Sequence, residues 1–87
     1  MLVGIPFMTT TLSDGVASYS QGNFAKAYKE LRPLADDGEP TAQYMMGEMF
    51  RMGQGVKKDE VAAVKWYKKA AEGGSPEGQY ALGMCYA

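Results

Sequence analysis

Apolar residues recur along the chain in steps of three and four. Phe24, Ala27, Leu31 and Leu34 form one such set; Ala42, Met46, Met49 and Phe50 form a second; Ala63, Trp66, Tyr67 and Ala70 form a third. That spacing places each set on one face of an α-helix and predicts three buried stripes.

Local signals bound these helices. Pro40 follows Glu39 and Pro76 follows Ser75, and proline suits the first helical position, where its missing N–H has no partner to lose. Gly53 closes the helix that Pro40 opens, and residues 54–58 form a loop. Asp59 is the expected N-cap of the next helix. That helix ends at Gly73-Gly74, where one glycine takes the left-handed C-cap conformation. Upstream, Thr11 is placed to cap a first helix, with Asp14 three residues on approximating a capping box. Asn23 is the expected cap of the helix that carries Phe24. Pro33 lies inside that helix, removes one backbone hydrogen bond and is expected to bend its last turns.

The chain also repeats itself. Shifted by 36 residues, the run from Pro40 to Gly47 falls on the run from Pro76 to Gly83, Phe50 falls on Tyr86, and Ala27 falls on Ala63. A fixed period of this size marks a repeat architecture in which each unit is one supersecondary element. The first unit matches at a shorter spacing, because the five-residue loop is absent from it. The fold class read from these signals is all-α, with about five helices as two hairpins and an opening fifth helix. The expected organisation is a tail or leader remnant over residues 1–9 and a repeat domain over 10–87. The units of that domain are 10–38, 39–74 and a truncated 75–87.

Composition narrows the function. Apolar residues are 46% of the 87, enough for one domain with a modest core. Nine basic and ten acidic residues leave a charge of −1, which argues against nucleic acid, since a phosphate-binding surface needs a basic excess. Lys57, Lys58, Lys65, Lys68 and Lys69 are interspersed with Asp59, Glu60 and Glu72, the pattern of a solvated helix face. Histidine is absent, which removes the commonest general base and metal ligand. No cofactor and no metal site are expected. Gly53-Gln54-Gly55-Val56-Lys57-Lys58 superficially resembles a phosphate loop but lacks its spacing and its preceding strand. Ser13, Ser18, Ser20 and Ser75 have no histidine to activate them and start no Ser-x-x-Lys motif. A cell-wall or β-lactam hydrolase is therefore a remote alternative, and the chain is read as no enzyme. Met1 to Met8 are apolar but too short to span a bilayer.

The runs Ala42 to Phe50, Gly53 to Asp59 and Ala63 to Gly74 resemble the Sel1-like repeat, a relative of the tetratricopeptide repeat. The resemblance covers about one full repeat, the start of the next, and a looser preceding unit of tetratricopeptide type. It implies helix pairs stacked in a right-handed α-solenoid, an adaptor role in binding proteins, and no catalytic residues. It also implies a bacterial source, periplasmic or cytoplasmic. Cys85 is the single cysteine and cannot staple a helix pair, as two cysteines do in some exported relatives. The usual terminal capping helix is likewise missing after Ala87.

In such a stack the first helix of each pair lines the concave face. With Met46, Gly47 and Phe50 turned into the hairpin, Thr41, Tyr44, Glu48, Arg51 and Met52 are expected to face a groove. Tyr80 and Met84 are their counterparts in the last unit. Tyr44 and Tyr80 are the expected anchors and Arg51 the expected clamp for a carboxylate or carbonyl. Tyr44 and Tyr80 packing between units is the alternative. The leading function is a protein or peptide held in that groove. The second reading is self-assembly as a homodimer through the C-terminal helix, with Leu82, Cys85 and Tyr86 at the contact. Cys85, in an apolar segment, is expected to be buried or interfacial. One face of the last helix is expected to pack back on Trp66 and Tyr67, which otherwise pack against alanines.

Overall fold

The computed structural model describes residues 10–87, so the tail or leader remnant expected over residues 1–9 lies outside the described residues. Among the described residues the chain is all-α: α1 (Leu12–Ser20), α2 (Phe24–Asp36), α3 (Pro40–Met52), α4 (Glu60–Glu72) and α5 (Pro76–Tyr86). Each helix packs on the next in a solenoid-like row of helix pairs, and α5 also reaches α3. None is long and apolar enough to cross a membrane.

Side chains at the helix starts explain where the helices begin. Thr11 Oγ1 accepts from the Asp14 amide at 3.2 Å while Asp14 Oδ2 accepts from the Thr11 amide at 3.1 Å, completing the capping box. Asp59 Oδ1 accepts from the Ala62 amide at 3.1 Å, and Ser75 Oγ from the Gly78 amide at 2.9 Å. Glu39 adds a cap beside Pro40, its Oε1 accepting from the Ala42 amide at 3.0 Å. Asn23 departs from expectation. Its side chain makes no cap hydrogen bond, and its ψ of 75° lies outside the extended range that Thr11, Glu39, Asp59 and Ser75 adopt as caps.

Two glycines shape the α3–α4 loop. Gly53 has φ 69° and closes α3 in the left-handed conformation, which costs little without a Cβ. Gly55 has φ 75°, and a Cβ on it would lie 2.6 Å from the Phe24 carbonyl oxygen. The loop therefore rests on the start of α2, a packing role for the glycines that had suggested a phosphate loop.

The core follows the predicted stripes with small substitutions. Ala27, Leu31 and Ala35 of α2 meet Ala42, Met46 and Met49 of α3, all at 0–1% exposure. Phe24, Leu34 and Phe50 are half-buried at its margin. Alanines let the helices approach closely, and the methionines fill the irregular space between them. Gln43 is buried in this layer and donates Nε2 to the Ala35 carbonyl at 3.1 Å.

Adjacent aromatics in α4 diverge. Tyr67 is fully buried against α3. Trp66 packs on the α2–α3 core, its ring 5.6 Å from the Arg32 guanidinium and 5.0 Å from the Lys69 ammonium, within range of cation–π attraction. Successive helical residues point about 100° apart, so the two rings serve different interfaces. Tyr67 lines a cavity together with α5, whereas Trp66 packs on the α2–α3 core.

Candidate functional site

A groove enclosing about 560 Å³ lies between α3, α4 and α5. Tyr44, Glu48 and Arg51 stand on its α3 wall, Ala63, Val64 and Tyr67 beneath, and Tyr80, Ala81, Met84 and Cys85 on its α5 wall. The α3 residues follow one another by four and three, which keeps them on one helical face.

Its floor is held by a polar network. The Tyr67 hydroxyl donates to Glu48 Oε2. Arg51 Nε donates to that same hydroxyl oxygen at 3.0 Å, and Arg51 Nη2 donates to Glu48 Oε1 at 3.0 Å. A buried tyrosine needs a partner for its hydroxyl, and the charged pair supplies both a donor and an acceptor. Burial, reinforced by the Glu48 carboxylate, pushes the Tyr67 phenol well above its ordinary value. The hydrogen bond to Glu48, followed by that to Tyr67, raises Arg51 in turn. The Tyr44 ring lies 6.0 Å from that of Tyr67, and its phenol is raised by burial and by Glu48. Tyr19 of α1 is raised by burial first and then by Glu48, and its hydroxyl donates to Gln54 Oε1 at 2.6 Å.

The structure brings together five of the seven residues expected to face a groove: Tyr44, Glu48, Arg51, Tyr80 and Met84. Thr41 and Met52 are exposed but do not line it. Thr41 sits on the first turn of α3, short of the cavity, and Met52 turns about 100° round the helix from Arg51. Tyr80 and Met84 are 72% and 60% exposed, which makes them the open lip. Tyr44 is half-buried and Arg51 is bonded within the fold, so these two share a structural role.

The residues assigned to self-association separate. Cys85 lines the groove and is exposed, so the thiol is not buried within this chain. Leu82 is half-buried and Tyr86 is 70% exposed, both away from the groove. Sequence reasoning missed the α4 contribution of Glu60, Ala63, Val64 and Tyr67, because it assigned the groove to first helices alone. The hydroxyl of a tyrosine on a buried stripe was the available signal.

Comparison with known proteins agrees with this architecture. The Sel1 repeat family model matches residues 40–75 and 76–87. The chain is similar to the ERAD-associated E3 ubiquitin-protein ligase component HRD3A of Arabidopsis thaliana, with 30% identity over 79 residues. That match takes in 90% of this chain and 12% of the plant protein, so the chain spans about an eighth of its relative's length. No solved structure matches the chain. The helix pairs, the 36-residue period and the family match over residues 40–87 lead to one conclusion: this chain belongs to the Sel1 repeat family.

Proposed function

We propose that this chain is a protein–protein interaction module that holds a segment of a partner protein in the groove between α3, α4 and α5. The observation that carries this reading is the contrast within the groove. A floor fixed by Tyr67, Glu48 and Arg51 lies beneath a lip of exposed Tyr80 and Met84. A rigid base with accessible aromatic and thioether side chains is the chemistry enriched in protein interfaces. The volume suits a few side chains of a partner segment.

The arrangement also refines what binds. Arg51 is engaged by Glu48 and Tyr67, so it acts as a fixed wall more than as a free clamp for a carboxylate. Glu48, Arg51 and Glu60 together carry a charge of −1, which favours a neutral or basic segment over an acidic one. The plant relative is by name a component of a ligase, in keeping with a role in contacts between proteins.

The test uses peptides selected from a random library against the 87-residue chain. Replacing Tyr80 and Met84 together by alanine is expected to weaken the selected peptides by about tenfold or more. Both side chains are largely exposed, so the helical signal and melting temperature are expected to hold. Unchanged affinity in this double variant contradicts the groove reading. The second reading, a homodimer through the C-terminal helix, draws on the exposure of Tyr86. A dimer seen by light scattering across a concentration series puts that reading first.

A further inference from the structure

Two tyrosines stand at one step of the repeat on facing walls of the groove. Tyr80 of α5 follows Tyr44 of α3 by 36 residues, and both line the cavity. Helices α3 and α5 touch, and packed helices run about 8–10 Å apart. The two phenol rings therefore border a slot that admits a single side chain. Tyr44 is backed from beneath by Tyr67, whose ring lies 6.0 Å away and is tilted by 35°.

The charge at this end of the groove is negative. Glu48 is answered by Arg51 at 3.0 Å, and Glu60, at the other end, by Lys58 at 3.8 Å. Glu77 lies three residues before Tyr80, on the same helical face, and enters no ion pair among the described residues. The Tyr44 phenol feels this field. Burial raises it first, Glu48 and Glu77 raise it further, and Arg51 lowers it by less. Aromatic faces are themselves negative and attract cations. Among the described residues, however, the chain's own cation–π contacts are those of Arg32 and Lys69 with Trp66. Arg51 commits Nε to Tyr67 and Nη2 to Glu48.

We propose that the segment held in the groove is selected through a lysine or arginine side chain, which enters between Tyr44 and Tyr80 with its charge turned toward Glu77. This inference rests on the groove reading above and adds the chemistry that recognises the segment. A neutral aliphatic side chain of similar length fills the same slot but gains nothing from the ring faces or the carboxylate. The slot thus discriminates by charge as well as by shape.

A library-selected peptide that binds the 87-residue chain tests the inference, with each of its lysines and arginines replaced in turn by norleucine. One replacement is expected to weaken binding by about three- to thirtyfold in titration calorimetry. In the chain, Tyr80→Leu and Glu77→Gln are each expected to weaken the parent peptide more than its norleucine form. Leucine keeps apolar bulk without a ring face, and glutamine keeps the shape without the charge. Both positions are exposed, so an unchanged helical signal serves as the control for folding. Groove binders without lysine or arginine, or with equal affinity after every norleucine replacement, overturn the inference and leave the groove reading standing. Equal weakening of the two peptides by both chain variants overturns it too, because the cation then acts outside the slot. A library that yields no binder overturns both readings together.

Discussion

Replacing Tyr67 by alanine removes most of the stability of this chain, at a cost of about 3–5 kcal/mol. Tyr67 is the largest fully buried side chain, and its removal leaves a void beside Gly47 that no neighbouring Cβ can fill. It also strips Glu48 of a donor and Arg51 of an acceptor at the groove floor. A domain of this size has only a few kcal/mol to lose, so its melting temperature is expected to fall by about 12 °C or more. Tyr67→Phe separates the two contributions. It keeps the ring, loses the hydroxyl, and is expected to cost about 1–3 kcal/mol. Thermal melts of both variants, followed by circular dichroism, check the order. A Tyr67→Ala melt within a degree or two of the parent would mean that the α3–α4 interface is not built on this ring.

Alanine at Gly47 destabilises by about 1–3 kcal/mol, whereas alanine at Gly83 stabilises by about 0.5–1 kcal/mol. Both glycines occupy the same step of the repeat, in the interior of a helix, where alanine is ordinarily preferred. The sign is decided by what each Cβ meets. At Gly47 it is a ring that is fully buried and whose hydroxyl is tied at both sides, so the ring has nowhere to move. At Gly83 it is open space. Urea denaturation of the two single variants, read by circular dichroism, gives both signs from one experiment. Like signs would mean that the Tyr67 ring yields to the added methyl at Gly47.

Much of the fold was legible in the residues, for physical reasons that differ between elements. The starts of α3, α4 and α5 were legible because Pro40, Asp59 and Pro76 act locally, and so does Gly53 at the close of α3. Asn23 misled because residue type does not fix the backbone angle, and its ψ of 75° falls outside the extended range that the working caps adopt. The buried stripes were legible from their period, yet period alone does not say which interface a residue on the edge of a stripe serves. Trp66 and Tyr67 are adjacent on one apolar face and part to opposite sides of α4. The groove was legible on its α3 and α5 walls, where Tyr44, Glu48, Arg51, Tyr80 and Met84 follow from the repeat. Its α4 floor was not, because Tyr67 reads as core until its hydroxyl is asked for a partner. The engagement of Arg51 was legible only in part: Glu48 lies three positions before it on the same helix, whereas Tyr67 lies sixteen positions further on.

The central claim, that the groove between α3, α4 and α5 receives a partner segment, is tested most directly by an amide-shift map of the chain with a library-selected peptide. The largest shifts are expected on Tyr44, Arg51, Val64, Tyr80, Ala81 and Met84, with the exposed Lys26 and Lys29 of α2 unmoved. Shifts concentrated on α2, or absent from the α3 and α5 walls while binding is saturated, would contradict it.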